Sequence, residues 1–208
     1  MIALIDYGAG NLTSVKKALA AIGADVFVPA SPGAMAEAHA VIVPGVGHFG
    51  ATRALDRIWV DAILQRVGEG RPLLGICLGM QWLFEGSEEA PDCPGLGVLR
   101  GRCRRLNVPP GDSRLKIPHV GWNSLDRKRE ASIVEDIPPG AQVYFTHSYV
   151  APLTADTVAA TEHGEAFTSI VQRGQIAGVQ FHPEKSGDAG LQILRNWLKL
   201  SLLSAGAT

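Results

Sequence analysis

Short apolar runs alternate with helical repeats in the N-terminal part of the chain. Apolar runs at residues 2–5, 25–28, 40–43 and 72–76 predict buried strands. Two segments between them repeat apolar residues at helical spacing. Their apolar positions are Val15, Leu19 and Ile22, followed by Gly23, and then Leu55, Ile58, Trp59, Ala62, Ile63 and Val67. This alternation predicts β-α-β units on a parallel sheet.

The pattern changes after residue 77. A short helix is predicted over residues 79–85, and a Gly/Pro-rich stretch follows through residue 98. Strands are predicted over residues 103–108, 142–150, 157–161, 166–172 and 176–181, several of them joined by short turns that favour antiparallel pairing. A last helix places Leu191, Leu194, Leu198 and Leu202 on one face. We therefore expect one α/β domain over residues 1–208, with a mixed, mostly parallel sheet flanked by helices and an antiparallel extension.

Composition and charge restrict the class of function. The 208 residues are 46% hydrophobic and 19% charged, with a net charge of −1. This excludes a disordered or fibrous chain, and it gives no attraction to nucleic acid or anionic membrane. Three cysteines without a C-x-x-C pair exclude a disulfide framework and a zinc module. With neither a leader nor a membrane-spanning run, we expect a soluble cytoplasmic protein.

Cys77 lies at the centre of the sharpest local motif. Residues 75–79 read Gly-Ile-Cys-Leu-Gly between a predicted strand and a helix. This order is typical of a nucleophile elbow, where glycines two positions either side make room for a strained central residue. A helix N-terminus also favours the thiolate over the thiol. A free cysteine is otherwise a small buried apolar residue, which is our interpretation of Cys93 and Cys103.

His182 is the best candidate base among the six histidines. It follows the apolar strand 176–181 and stands two residues before Glu184. Side chains at i and i+2 of an extended segment project to the same side, so Glu184 could orient the ring. The alternative is a surface histidine beside a solvated glutamate. Together with Cys77, the pair predicts nucleophilic catalysis by a Cys-His-Glu triad, in which a base activates the thiol.

Two Gly-rich loops follow the first and third predicted strands. Residues 45–50 match G-x-G-x-x-G, which raises the alternative of a dinucleotide site. The loop is nevertheless not in the first β-α turn, where such a site belongs. Donation of backbone N–H groups to an oxyanion is the better use beside a thiol nucleophile. The other loop, residues 7–11, lacks the Gly-Lys-Ser/Thr of a phosphate loop.

The motifs together resemble the class I (triad) glutamine amidotransferases, over nearly the whole chain. Within that family they are similar to the glutaminase subunits of imidazole glycerol phosphate synthases. The superfamily motifs lie at residues 75–81 (GICLGMQ) and 182–184 (HPE). The more specific ones lie at residues 5–12 (IDYGAGNL), 44–50 (PGVGHFG), 118–123 (PHVGWN), 146–149 (THSY) and 185–186 (KS).

The resemblance implies roles for individual residues. Cys77 would be the nucleophile, His182 the general base and acid, and Glu184 its orienting carboxylate. The amides of Gly47 and Leu78 would form the oxyanion hole. Substrate binding would fall to Gln81, Glu89, His147, Ser148 and Tyr149, and the partner interface to Asn11, Trp122 and Lys185. For Glu89 and Tyr149, a solvated charge and a core aromatic remain the alternatives.

The resemblance also implies a flavodoxin-like fold, a reaction and a partner. Glutamine would be hydrolysed to glutamate and ammonia without a metal or organic cofactor. The ammonia would pass to a (β/α)8-barrel cyclase in a heterodimer, which makes imidazole glycerol phosphate and aminoimidazole carboxamide ribotide in histidine biosynthesis. Two alternatives stay open. One is a glutaminase subunit of another synthase, such as that of pyridoxal phosphate, and the other is a non-catalytic regulatory module of the same fold.

Overall fold

Strands and helices alternate along the first part of the chain, as the apolar pattern predicts. The structure, a computed structural model, describes residues 1–109 and 115–205, with side chains as far as residue 200. The α-helices are α1 (Leu12–Ala21), α2 (Arg57–Gly68), α3 (Leu78–Trp82) and α4 (Gly187–Ala205). The first strands are β1 (Ile2–Leu4), β2 (Val26–Phe27), β3 (Ala40–Val43), β4 (Leu73–Ile76) and β5 (Gly86–Ser87).

The remaining strands follow α3 and supply the antiparallel part of the molecule. They are β6 (Arg102–Arg105), β7 (His119–Ser124), β8 (Asp126–Arg127), β9 (Gln142–His147), β10 (Tyr149–Val150), β11 (Thr157–Glu162), β12 (Ala166–Arg173) and β13 (Ile176–Val179). The main sheet has the order β2-β1-β3-β4-β13-β12-β11-β8. Strands from β2 to β13 run parallel, and β12, β11 and β8 extend the sheet in antiparallel fashion. The predicted fold class is confirmed.

Alternate residues of the parallel strands face opposite layers of helices. Ile2 and Leu4 of β1 pack into one apolar cluster with residues of α1 and α4. Ala3, on the other face of the same strand, packs with residues of α2 and α3. Because successive side chains of a strand alternate in direction, both faces of the sheet are buried. The carboxyl ends of β3 and β4 and the residues after β13 therefore meet at one edge of a three-layer structure.

The prediction of one strand over residues 142–150 is wrong. The segment divides at Ser148 into β9, which pairs with β7, and β10, which pairs with β6. The two pieces belong to different small sheets because their pairing partners lie elsewhere in the sequence, which an apolar pattern does not reveal. Strands β5, β7 and β8 were not predicted. The predicted strand over residues 103–108 is shorter and begins earlier, as β6.

Two details of the predicted helices also differ. Helical periodicity places Ile58 in the buried stripe of α2, but it is 67% exposed in the first turn. Leu55 precedes the helix, which Asp56 caps by accepting hydrogen bonds from the amides of Ile58 and Trp59. Leu202 lies beyond the side chains that the structure describes. Among the described helices, none is both long and apolar enough to span a bilayer.

Candidate active site

Cys77 stands on a strained turn between β4 and α3. Its φ of 53° and ψ of −107° are unusual for a residue with a side chain. A β-carbon on Gly75 would approach the Gly79 carbonyl oxygen to 2.5 Å, and one on Gly79 would overlap the Val43 carbonyl. Both glycines are therefore required by the close passage of backbone, as the elbow motif predicts. The turn places the thiol at the carboxyl edge of the sheet.

Gln180 contacts the Cys77 sulfur and was missed by sequence analysis. Its Nε2 atom lies 3.7 Å from Sγ, and the residue is fully buried. The side-chain Nε2 of Gln81 donates a hydrogen bond to Gln180 Oε1 at 3.1 Å, and this bond turns the Gln180 NH₂ group toward the sulfur. A buried donor of this kind stabilises a thiolate. It matters more here because α3 has only five residues and therefore a small dipole. The sequence did hold a signal for this role of Gln180. It is a polar residue inside the apolar strand pattern 176–181, two residues before the candidate base His182.

His182 and Glu184 form a buried pair. His182 Nδ1 lies 2.8 Å from Glu184 Oε1, and their side chains are only 3% and 2% exposed. The alternative of a solvated surface pair is therefore excluded. The carboxylate accepts from Nδ1, so Nε2 is the ring atom left to exchange protons. Within the described part of the chain, Nε2 has no hydrogen-bond partner.

The environment favours the imidazolium form of His182. Burial lowers its pKa, but interactions with Cys77 and Glu184 outweigh burial and raise the pKa to about 9. Because Nε2 forms no hydrogen bond of good geometry, we attribute the effect of Cys77 to the attraction between thiolate and imidazolium. The arrangement therefore places a protonated His182 beside the Cys77 sulfur.

A cavity of about 260 Å³ opens in front of the thiol. Besides Cys77, it is lined by every residue predicted for the oxyanion hole or for substrate binding. These are Gly47, Leu78, Gln81, Glu89, His147, Ser148 and Tyr149, joined by Pro118 and Thr146. The fold thus brings together residues from five separate segments of the sequence. His182 and Glu184 are buried nearby and do not line this cavity.

Glu89 and Gln81 are held in place by the protein itself. Glu89 Oε2 accepts a hydrogen bond of 2.7 Å from the amide of Phe49, so the alternative of a freely solvated charge is excluded. The side-chain Nε2 of Gln81 donates to the Tyr149 carbonyl at 2.9 Å as well as to Gln180 Oε1. Both N–H bonds of Gln81 are thereby used, and its carbonyl oxygen is the atom left to accept from a ligand.

The ring of His147 is committed to an internal network. Its Nδ1 lies 3.0 Å from the Tyr149 carbonyl and must donate to it, so Nε2 accepts from His119 Nδ1 at 3.1 Å. Burial, followed by the neighbouring His119, lowers the pKa of His147 to about 3 and keeps the ring neutral. His147 could therefore contact a ligand in the cavity only through its backbone.

The loop over residues 44–47 binds the Leu78 amide and directs the Val46 amide to the Ala9 carbonyl. The amide of Leu78 donates to the Gly45 carbonyl at 3.3 Å, and the amide of Val46 donates to the Ala9 carbonyl at 2.8 Å. One of the two predicted oxyanion donors is thus occupied. Gly47 lines the cavity at a φ of 90°, which suits glycine. The following turn, Phe49–Ala54, is a 3₁₀ helix and not the α-helix of a dinucleotide site.

Comparison with known proteins decides the family. The family model described as "Glutamine amidotransferase class-I" matches residues 3–200. The chain belongs to the class I glutamine amidotransferase family. The Imidazole glycerol phosphate synthase subunit HisH of Gloeobacter violaceus is 49% identical over 204 residues, which cover 95% of this chain and 88% of that protein. The subunit of the same name from Xanthomonas euvesicatoria is 45% identical over 201 residues, which cover 96% and 98%.

Solved structures share the fold of this glutamine amidotransferase. One described as "Crystal structure of glutamine amidotransferase" has a TM-score of 0.74 at 21% identity and covers 96% of this chain and 98% of its own. The structure of PurLQS from Thermotoga maritima has a TM-score of 0.71 at 17% identity, over 95% and 97%. At these identities the likeness concerns the fold alone.

The predicted interface residues of this glutamine amidotransferase lie outside the cavity. Trp122 is 56% exposed on β7 and packs edge-on against Tyr144, at 6.1 Å between ring centroids. Lys185 Nζ lies 5.7 Å from the centre of the same ring. We call Trp122, Tyr144 and Lys185 the aromatic patch. Asn11 caps α1 by accepting from the Ser14 amide, and α1 packs against the turn that carries Lys185.

Across residues 1–109 and 115–205, no three His, Cys, Asp or Glu side chains are grouped to hold a metal ion. The three cysteines are free and buried.

Proposed function

We propose that this chain is the glutaminase subunit of an imidazole glycerol phosphate synthase in histidine biosynthesis. It hydrolyses glutamine to glutamate and ammonia and delivers the ammonia to a cyclase subunit. The observation that carries the proposal is the strained Cys77 thiol at the cavity, with the buried His182–Glu184 pair beside it. Relatives of 45–49% identity that bear this synthase's name support the same assignment.

The triad performs acyl transfer in two steps. The Cys77 thiolate attacks the carboxamide carbon of glutamine, and collapse of the tetrahedral intermediate expels ammonia with a proton from His182 Nε2. The γ-glutamyl thioester is then attacked by water, whose proton returns to His182. Glutamate leaves, and the thiolate and imidazolium are restored. Glu184 keeps the proton of Nδ1 in place throughout.

The oxyanion needs donors that the loop does not yet offer. Turning the Gly45–Val46 peptide would release the Leu78 amide from the Gly45 carbonyl and swing the Val46 N–H toward the cavity. The Val46 N–H would then join the amides of Gly47 and Leu78, the two predicted oxyanion donors, beside the developing negative charge. Turning this peptide plane changes ψ of residue 45 and φ of residue 46. Glycine tolerates the change at residue 45, whereas the β-branched Val46 resists it, so the turned arrangement needs a stabilising contact.

Glutamine recognition follows from the groups that line the cavity. The Glu89 carboxylate and the Gln81 carbonyl oxygen are acceptors for the substrate ammonium. The 147–149 segment supplies donors for the substrate carboxylate, through backbone amides and the Ser148 hydroxyl. Tyr149, which is half-buried, also lines the cavity.

The proposed partner is a cyclase of (β/α)8-barrel fold that forms a heterodimer with this chain. The aromatic patch offers it two aromatic rings, a residue type enriched at protein interfaces, beside the Lys185 cation. Asn11 completes the proposed interface. We further propose that residues 1–208 act as a single glutamine amidotransferase domain. The three free cysteines support a reducing cytoplasm as its compartment.

His182→Asn is expected to lose more activity than Glu184→Gln. The first change removes the group that carries the proton, and the second removes only the group that orients it. Steady-state ammonia release from glutamine, with circular dichroism to verify folding, measures both variants. Equal losses would contradict the roles, and a larger loss for Glu184→Gln would make Glu184 the base.

The pH dependence of activity is expected to differ between the wild type and Glu184→Gln. Wild-type activity should fall as the pH rises through about 9, where His182 loses its proton. Glu184 raises the pKa of His182, so Glu184→Gln should move this alkaline limb to lower pH. A limb that stays in place would show that Glu184 does not act through His182.

One assay separates the proposed function from its alternatives. The chain is mixed with a histidine-pathway cyclase, and ammonia release and formation of imidazole glycerol phosphate from glutamine are measured. We expect both, with Cys77→Ala as the control that abolishes product formation from glutamine but not from added ammonium. Ammonia release with no glutamine-dependent product would indicate another synthase. The absence of glutamine hydrolysis would indicate a regulatory module.

A further inference from the structure

Tyr7 carries a buried polar atom that nothing in the proposed triad explains. Its hydroxyl oxygen is shielded from solvent and has no hydrogen-bond partner among the described residues. Burial, followed by the charge of Cys77, raises the pKa of Tyr7 well above its ordinary value. The group is thus a permanent O–H donor, close enough to the nucleophile to sense its charge. A buried donor left without an acceptor costs stability, so an arrangement that gave the Tyr7 hydroxyl an acceptor would be favoured over the observed one.

The Tyr7 hydroxyl lies directly against the loop over residues 44–47. A β-carbon on Gly45 would overlap the hydroxyl oxygen and approach the Leu78 side chain to 2.8 Å. The loops also touch at Gly10, where a β-carbon would come to 3.4 Å from Pro44 Cγ. In the observed arrangement, the hydroxyl therefore neighbours the peptide that occupies the Leu78 amide, yet makes no bond to it.

Turning that peptide would exchange its two polar ends. The Val46 N–H, which now donates to the Ala9 carbonyl, would leave the 7–9 segment and face the cavity. The Gly45 carbonyl would lose the Leu78 amide and turn toward the 7–9 segment. A carbonyl in that position needs a donor, and the Ala9 carbonyl beside it cannot serve.

We infer that Tyr7 is a positioning residue, whose hydroxyl donates to the Gly45 carbonyl when the Gly45–Val46 peptide turns to form the oxyanion hole. The inference rests on the proposed function, because it concerns the oxyanion of glutamine hydrolysis. Tyr7 is unsatisfied in the observed state and satisfied in the turned state. It therefore shifts the balance between them toward the active arrangement.

Tyr7→Phe removes the hydroxyl and keeps the ring, so it isolates this contact. In the complex with cyclase and its nucleotide ligand, kcat for glutamine should fall by about five- to a hundredfold, the effect of leaving one buried carbonyl without a donor. KM should change little, since the oxyanion exists only beyond the ground state. In the isolated chain, the same change should raise the thermal midpoint by about 2–4 °C, because a buried unsatisfied group is lost.

Ser169→Ala is the matched control. Ser169 Oγ, on β12, is also buried without a partner in the described structure, but it lies outside the loop and the cavity. This variant should leave kcat of the complex unchanged. A Tyr7→Phe complex with wild-type kcat, or a Tyr7→Phe chain with a lowered thermal midpoint, would overturn the role of Tyr7 alone. A wild-type complex that releases no ammonia from glutamine would overturn the proposed function and this role with it.

Discussion

Replacing Cys77 by alanine is expected to reduce ammonia release to the background of the assay, a loss on the order of 10⁶-fold, as for other nucleophiles. The fold should survive the change. The Cys77 amide bonds to the Val179 carbonyl at 2.8 Å, and the hydrogen bonds of the sulfur are long, 4.0 Å to Thr146 O and 3.7 Å to Gln180. Alanine tolerates the positive φ no worse than cysteine does. Circular dichroism and binding to the cyclase verify that only chemistry is lost.

Labelling identifies the same nucleophile without mutation. The glutamine analogue 6-diazo-5-oxonorleucine should alkylate Cys77 and spare Cys93 and Cys103. Cys103 is fully buried, which raises the pKa of its thiol far above the ordinary value. Cys93 is 2% exposed and packs against Thr52. Peptide mass mapping locates the adduct, and Cys93→Ala serves as a control that should label like the wild type. An adduct on Cys93 or Cys103 would overturn the assignment.

The parts of the site that lie close together in sequence were the predictable ones. The Cys77 elbow depends on glycines two residues away, and the His182–Glu184 pair on the alternation of an extended segment. Strand geometry then fixes their distance regardless of the rest of the fold. The parallel core was predictable for a similar reason, since runs such as residues 40–43 are buried on both faces.

The parts that depend on distant partners were not predictable. Gln180 acts through Cys77 and Gln81, about a hundred residues earlier, and His119 reaches His147 only because β7 pairs with β9. The division of residues 142–150 at Ser148 has the same origin. Ile58 shows an error of the other kind, in which the sequence predicts burial that the fold does not provide. Helical periodicity assigns an apolar residue to the buried stripe even where no neighbouring element covers it.

The isolated chain is expected to be a poor glutaminase, and the cyclase with its nucleotide ligand is expected to raise glutamine turnover by about 10² to 10³. That factor is the typical cost of one missing oxyanion donor, and the Leu78 amide is one such donor, occupied by the Gly45 carbonyl. Ammonia release should be measured for the chain alone, with cyclase, and with cyclase and ligand. Full activity of the isolated chain, unchanged by partner or ligand, would refute this gating and leave the triad untouched.

The aromatic patch is the proposed route by which the partner acts. Tyr144 joins it to the catalytic turn, because the Tyr144 carbonyl accepts from the His182 amide at 2.9 Å and the Tyr144 amide donates to Ser186 Oγ at 2.9 Å. Trp122→Ala should therefore reduce activation by the cyclase at saturating partner. Ile58→Ala, which alters a residue of similar exposure on α2, should not. If both variants are activated like the wild type, the partner must turn the Gly45–Val46 peptide through another contact, for which Asn11 and the loop of Tyr7 beside it are the next residues to replace.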